Sequence, residues 1–275
     1  MDPAKFNKLI EQRDYVNVVI NHAPDLDLEQ FDFCIRFVPW TALEYCADLC
    51  SDEQLDYCIK RYPCYALEFA VKLLTQNQRV FCIQNSPYAA LANLADEMSP
   101  EEFDFCVKKS PNAALEWVPK MLRPEQLEFC RRTQPAEALM YAPNLLSQEQ
   151  FALCVYHDPQ TAIEYVGSLL SPQQLTFCVE QGPLVAIEFY NHLLTPEHLA
   201  VFVDEHPWET LLYATDRLSS EQLLSCASRC GRNLNKFLRF IDNPPPKLVK
   251  ALFSVRDKLS RATKKALITA TTKLI

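Results

Sequence analysis

Apolar residues recur along the chain in short runs, with the mixed three- and four-residue spacings of amphipathic helices. In residues 51–74 the runs consist of Leu55, Tyr57, Cys58 and Ile59, and then of Ala66, Leu67, Phe69, Leu73 and Leu74. A serine precedes the first run and a proline precedes the second. This pattern predicts two short helices in the segment, with both sets of apolar residues in the core.

The same pattern returns every 24 residues. Prolines follow this period at Pro39, Pro63, Pro87, Pro111, Pro135, Pro159, Pro183 and Pro207. Cysteines follow it at Cys34, Cys58, Cys82, Cys106, Cys130, Cys154, Cys178 and Cys226, with Phe202 in the missing place. Two residue types with one period indicate an internal repeat. Eight units are clear over 27–218, with a degenerate ninth over 219–242 and a weak one over 3–26.

The first helix of a unit is expected to begin after a Ser or Thr N-cap, such as Ser51. Gln54, three residues later, completes a capping box, and His198 is the exception in this column. The second helix is expected to begin at the repeat proline, whose missing N–H costs nothing in a first turn. Pro119 and Pro143 lie late in two second helices and predict that these helices are shortened or kinked.

Helices of about ten residues are marginal in isolation, so the units must stack on each other. The predicted fold is all-α: an α-solenoid of about nine 24-residue helix-turn-helix repeats with a C-terminal capping helical segment. The expected domains are N-terminal capping helices over 1–26, the solenoid over 27–242, and a basic amphipathic helical segment over 243–275.

Composition excludes several classes of function. The chain has 3 Gly and 19 Pro, and it contains neither the GxGxxG dinucleotide turn nor a phosphate-binding loop. No apolar stretch is long enough for a membrane span, and the first residues lack the apolar core of a signal peptide. No nucleophile elbow, zinc-protease motif or kinase motif is present, so we expect no enzyme activity and no cofactor.

The cysteine column offers two interpretations. Small apolar cysteines suit the close approach of stacked helices, where their spacing would not allow disulfides. A ladder of free thiols favours the cytoplasm or another reducing compartment. A metal site is the alternative for Cys46, Cys50, Cys58 and Cys64, but they form no CxxC motif, and no metal is predicted.

Glutamates and aromatic residues also form columns in the second helices. The glutamate column consists of Glu44, Glu68, Glu116, Glu164 and Glu188, and it is expected along one surface, either as a solvated helix face or as a site that would suit a basic partner. The aromatic columns, such as Tyr57 and Phe69 with their equivalents, are expected in the core. The position after the repeat proline varies freely, which predicts exposure, and it carries the candidate contact residues Trp40, Tyr88 and Trp208.

Charge is divided unevenly along the chain. Residues 229–275 hold 12 Lys+Arg and 2 Asp+Glu, whereas the whole chain has a net charge of −8. An apolar stripe in this segment favours a cap on the last repeat. Alternatives are a membrane-surface or partner-docking helix, head-to-tail self-association, or a nucleic-acid site. The candidate nucleic-acid residues are Arg229, Arg232, Lys236, Arg239, Lys247, Lys250, Lys264 and Lys265.

The motif Pro-x-x-Ala-Leu-Glu-aromatic, as in residues 63–69, resembles that of helical-repeat solenoids. Tetratricopeptide, HEAT and leucine-rich-repeat-variant proteins are distant examples, and uncharacterised "ALEYA"-type repeats of bacterial and large-virus proteins are more similar. The 24-residue unit lacks the Trp…Gly…Tyr pattern of tetratricopeptide repeats. The resemblance implies a protein-binding scaffold or adaptor, of the kind that includes host-directed proteins of pathogens and viruses.

Overall fold

The computed structural model describes residues 1–230, Leu234, 246–254 and Lys264. Every regular element in these residues is helical, and none of them forms a strand. The predicted fold class, an all-α solenoid of helical repeats, is confirmed. The chain divides into two compact units, Met1–Leu145 and Leu146–Ile275.

The first unit contains twelve α-helices. They are α1 (Pro3–Ile10), α2 (Tyr15–His22), α3 (Leu28–Phe37), α4 (Pro39–Tyr45), α5 (Asp52–Arg61), α6 (Pro63–Phe69), α7 (Gln76–Asn85), α8 (Pro87–Leu94), α9 (Pro100–Lys109), α10 (Pro111–Trp117), α11 (Pro124–Thr133) and α12 (Pro135–Tyr141). From α3 onward, odd-numbered helices are the first of each repeat and even-numbered helices are the second. First helices pack on first helices and second helices on second helices, which gives two layers.

The second unit continues the alternation. Its described helices are α13 (Gln148–His157), α14 (Pro159–Val166), α15 (Pro172–Gln181), α16 (Pro183–Phe189), α17 (Pro196–Glu205), α18 (Pro207–Tyr213), α19 (Ser220–Cys230) and α20 (Pro246–Ser254). Here too α14 contacts α16, and α16 contacts α18, within the layer of second helices. The predicted boundaries at 26 and 242 stay predictions.

Each repeat contains a third element that the sequence did not suggest. A three-residue 3-10 turn follows every second helix, as at Val71–Leu73 after α6. Pro119 and Pro143 each begin such a turn, where the missing N–H costs nothing. The prediction that they shorten or kink α10 and α12 was wrong. These two helices are seven residues long, and α4, α6, α16 and α18 have the same length without a proline at the corresponding position.

Capping boxes begin the first helices as expected. In α5 the backbone N–H of Gln54 donates to Ser51 Oγ at 3.3 Å, and Ser51 N–H donates to Gln54 Oε1 at 3.0 Å. His198 fits the same arrangement, because its Nδ1 accepts from Thr195 N–H at 3.2 Å. A histidine therefore replaces glutamine in this box without loss of either bond.

The core is built from two pairs of columns. Second helices contribute an alanine and the branched residue after it, such as Ala66 and Leu67, which are at most 1% exposed. First helices contribute the column cysteine and the residue after it, such as Cys58 and Ile59, which are fully buried. Alanine and cysteine are small, so neighbouring helices approach closely while the branched residues fill the space between them.

The prediction that the aromatic columns lie in the core was wrong for many of their members, among them Phe33, Tyr45, Trp117, Phe129, Tyr141, Tyr165 and Phe189, and residues 51–74 show this for three predicted core residues. Tyr57 is 38% exposed, Phe69 is 42% exposed and Leu73 is 44% exposed. A seven-residue second helix has room for one narrow buried stripe, which Ala66, Leu67 and Ala70 already occupy. The aromatic position two residues after the buried leucine therefore turns toward solvent.

The described part of the C-terminal segment packs onto the last described repeat. Helix α20 contacts α19, and its buried residues are Leu248, Val249, Ala251 and Leu252. Lys247 Nζ donates to the carbonyl oxygens of Asp216 at 3.2 Å and of Leu218 at 2.5 Å. This helix covers apolar surface in the manner expected of a cap, while the rest of the segment lies outside the described residues.

We predict that Leu67→Ala lowers the free energy of unfolding by about 2–5 kcal/mol, because it opens a cavity between helices. Leu73→Ala, in the same repeat, should cost less than about 1 kcal/mol because its side chain already contacts water. Urea denaturation followed by circular dichroism measures both values. Equal costs for the two variants would contradict this division between core and surface.

Candidate partner-binding surface

We define the second-helix face of each unit as the solvent-facing side of its second helices, which are α4, α6, α8, α10 and α12 in the first unit and α14, α16 and α18 in the second. In each helix it contains the position after the repeat proline and the glutamate and aromatic positions. The position after the proline and the glutamate position lie four residues apart, so they share one side of the helix. The alanine–leucine pair is buried on the opposite side of the helix, so this side faces solvent.

All the predicted contact residues reach this face. Tyr88, Glu68, Glu164 and Glu188 are exposed, and Trp40, Trp208, Glu44 and Glu116 are half-buried. The position after the proline is exposed or half-buried in every repeat, since Cys64, Asn112, Ala136, Gln160 and Leu184 are also accessible. The exposure expected for this variable position is therefore confirmed, while its role in binding stays a prediction.

Tyr88 and Glu116 meet across two neighbouring repeats of the first unit. The Tyr88 hydroxyl donates to Glu116 Oε2 at 2.6 Å, and the Trp117 ring stands edge-on to Tyr88 with 6.5 Å between ring centroids. The hydrogen bond to the Glu116 carboxylate raises the pKa of the Tyr88 phenol, and the indole of Trp117 offsets part of that rise. One residue from the variable column is thus coupled to the glutamate and the aromatic residue of the next repeat.

Trp40 lies in an aromatic cluster of the same unit. Its ring is 6.0 Å from that of Tyr65, which in turn lies 5.8 Å from Phe69. Glu44 and Glu68 belong to the two helices that carry this cluster, and a hydrogen bond to Glu44 raises the pKa of Tyr45. Aromatic rings and carboxylates therefore alternate along this part of the face.

The second unit has a related pair. The Tyr213 hydroxyl donates to Glu188 Oε1 at 3.0 Å, and this hydrogen bond raises the pKa of the phenol. The pKa of Tyr190 is raised by burial and then by the charge of Glu164. Trp208 is half-buried on α18 and is not part of these two contacts.

Charge is segregated between the two layers of helices. The eight second helices contain no Lys, Arg or His, whereas first helices carry ion pairs such as Asp32–Arg36 at 2.9 Å and Asp56–Lys60 at 2.5 Å. Within the described part of the chain, the five glutamates of the predicted column form no ion pair. Their negative charge is not neutralised by another group on the same face.

The candidate nucleic-acid residues are only partly described. Arg229 pairs with Asp204 at 2.7 Å, and Lys247 caps backbone carbonyls. Lys250 is exposed, and Lys264 is half-buried and makes an interaction of its own. Outside the described residues lie Arg232, Lys236, Arg239 and Lys265.

The twelve cysteines are all described, and all are free thiols. Burial raises the pKa of Cys82 to about 12 and that of Cys130 to about 11, so these thiols stay protonated. Cys64 is the exposed member and lies on the second-helix face. In the ranges that the structure describes, no three His, Cys, Asp or Glu side chains are grouped as a metal site requires.

Two residues of the surface were missed at the sequence level, Tyr65 and Trp117. Trp117 belongs to an aromatic column that is expected in the core, because such columns are usually buried. Tyr65 has no assigned role in the sequence pattern. The one local signal is that Trp117 directly follows Glu116 of the glutamate column, whereas Tyr65 has no such neighbour.

Comparison with family models, with curated proteins and with solved structures finds no significant match to this chain. Of the helices that the structure describes, none is long and apolar enough to cross a membrane. The chain is thus placed by its repeat architecture, without a relative to supply a function.

We predict that Glu116→Gln lowers the pKa of Tyr88 toward the ordinary phenol value of about 10. The carboxylate disfavours the phenolate, so in the native protein Tyr88 keeps its proton to higher pH, and the Tyr88–Glu116 hydrogen bond is lost only as pH rises through the raised pKa. Tyrosine ¹³Cζ NMR titration, assigned with Tyr88→Phe, measures the change. Tyr213 is the internal control, because its partner Glu188 is unchanged.

We also predict that Cys64→Ser removes the rapid phase of reaction with a thiol reagent under native conditions, because Cys64 is exposed. Cys82→Ala should leave that phase intact, since burial protects the Cys82 thiol. Stopped-flow absorbance with wild type and both variants gives the rates. A rapid phase that persists in Cys64→Ser would show that another cysteine is accessible.

Proposed function

We propose that this protein is a non-enzymatic binding scaffold whose second-helix face recognises a positively charged protein or peptide. One observation carries the proposal: the second helices present glutamates and aromatic rings but no basic residue. Complementary charge directs association and selects partners, while exposed aromatic residues supply contact area. The face offers both to a cationic surface.

The first-helix layer fits this role less well. Its acidic residues are partly neutralised within the chain, as in the pair Arg123–Asp104 at 2.6 Å and the pair of Arg131 with Glu128 at 2.6 Å. Arg131 is itself buried. An external cation would compete there with internal ones, whereas on the second helices it would meet unpaired carboxylates.

The variable column would provide selectivity within this scaffold. Trp40, Tyr88 and Trp208 follow the repeat proline in three repeats, where the other repeats have non-aromatic residues, namely Cys64, Asn112, Ala136, Gln160 and Leu184. Side chains that differ from repeat to repeat on a constant backbone give each segment of the face its own shape. Large aromatic residues at such positions are the usual anchors of protein interfaces.

The finer likeness to "ALEYA"-type bacterial and viral repeats belongs to this proposal, as does an inhibitory or adaptor role toward a host protein. The free thiols of all twelve cysteines support a cytoplasmic or other reducing location. No catalytic group is assigned.

A nucleic-acid role for residues 229–275 has less support. Two of its candidate residues make contacts within the chain: Arg229 pairs with Asp204, and Lys247 donates to backbone carbonyls. Head-to-tail self-association is an alternative in which the same basic segment would meet the acidic face of a second copy. The nucleic-acid alternative leaves the glutamates and aromatic rings of the second helices without a partner.

We predict that the full-length protein binds a fluorescein-labelled peptide of alternating lysine and arginine at low salt, and that added salt weakens the complex. The triple variant Glu44→Gln/Glu68→Gln/Glu116→Gln should lose about tenfold in affinity, since three complementary charges disappear. Fluorescence anisotropy measures the affinities.

The matched control is Glu29→Gln/Glu53→Gln/Glu125→Gln, which removes three exposed glutamates from first helices. It has the same net charge as the test variant, so a difference between the two reports the location of the charges. Equal weakening by both triples, or absence of binding by wild type, would reject the proposal. A labelled oligonucleotide in the same assay measures the nucleic-acid alternative directly.

A further inference from the structure

The contact between Tyr88 and Glu116 orders a carboxylate at the surface. The Tyr88 hydroxyl holds Oε2 of Glu116, while the other oxygen, Oε1, accepts no hydrogen bond within the described part of the chain. Glu116 is half-buried, so its position is restricted by packing as well as by the phenol. An incoming donor would therefore meet a carboxylate that has already lost part of its conformational freedom.

Aromatic surface lies beside this carboxylate. Trp117 is 51% exposed and Tyr88 is 41% exposed, with their rings at 90° to each other. A cation over the face of an indole or phenol is attracted by the ring quadrupole.

No cation of the protein occupies this place. Helices α8 and α10 contain no basic residue, and the nearest one along the chain, Lys120, forms no ion pair with Glu116 among the described residues. Elsewhere the chain uses its own cations on rings, as where Lys109 Nζ lies 5.9 Å from the centroid of Phe105. At Tyr88 and Trp117 the corresponding partner must come from outside.

We propose that Tyr88, Glu116 and Trp117 form a clasp for an arginine side chain of the partner. The inference rests on the proposed function and assigns one residue type to one place on the second-helix face. A guanidinium is planar, so it can stack on the indole while its N–H groups donate to the free carboxylate oxygen. A lysine ammonium is compact and strongly hydrated, and it gains less from a flat aromatic surface.

The other repeats do not reproduce the clasp. At the position of Tyr88 the repeats before and after it have Cys64 and Asn112, and the repeats that follow these two have Ala92 and Met140 in place of the glutamate. Trp40 has no hydroxyl and packs against Tyr65 instead. The clasp is therefore a single site in the first unit, and it would set which part of a basic segment lies over α8 and α10.

The test compares labelled hexa-arginine and hexa-lysine peptides by fluorescence anisotropy with the full-length protein. We expect hexa-arginine to bind about fivefold more tightly than hexa-lysine. Glu116→Gln and Trp117→Leu should each lower hexa-arginine affinity about fivefold and remove the preference. Glu125→Gln and Phe129→Leu remove a carboxylate and an aromatic ring from the first helix α11, and they should leave the preference unchanged.

Circular dichroism tests whether each variant is folded. If Trp117→Leu is unstable, Glu116→Gln, which keeps the size of the side chain, carries the test alone. Equal affinity for both peptides, or a preference that survives Glu116→Gln, would overturn the clasp. If the peptides still bind and the triple glutamate variant still weakens them, the scaffold proposal stands without it. If neither peptide binds the wild type, both proposals fail.

Discussion

A helix of seven or eight residues gains too little from its own hydrogen bonds to be stable in water, and the second helices of this protein are that short. Burial between neighbouring repeats must supply the rest. The alanine–leucine pair provides it: Ala66 lets the adjacent helices approach, and Leu67 fills the space that remains. The capping boxes, the repeat proline and the 3-10 turn fix where the helices begin and end. The buried pair therefore recurs at the same position in successive second helices.

The same shortness determines what is left for recognition. A helix of two turns can bury only one narrow stripe, and its remaining side chains face water whether they are polar or not. Glutamates and large aromatic rings therefore come to lie side by side on the second helices, as Glu68 and Phe69 do. The surface that we propose for binding would thus be a consequence of the short second helices.

Much of the fold could be predicted because it depends on residues within a single repeat. The 24-residue period, the Ser51–Gln54 capping box and the helix start at Pro63 each depend on neighbours in sequence. The exposure of Tyr57 and Phe69 could not be predicted, since it depends on how wide a stripe the adjacent repeat covers. The bond between Tyr88 and Glu116 depends on the rise from one repeat to the next, which no single repeat contains. The candidate site is formed by contacts between repeats, and the sequence pattern does not predict these contacts.

The constant spacing of the prolines has a consequence for how such a protein can change over time. Because the buried pair and the caps of a repeat do not involve the residue after its proline, that residue can mutate without disturbing the fold, as the series from Trp40 through Cys64 and Tyr88 to Leu184 illustrates. Duplication of a whole 24-residue segment would preserve the same packing on both sides. The chain can thus acquire a new binding specificity one substitution at a time, or a longer binding surface by copying a piece of its own gene.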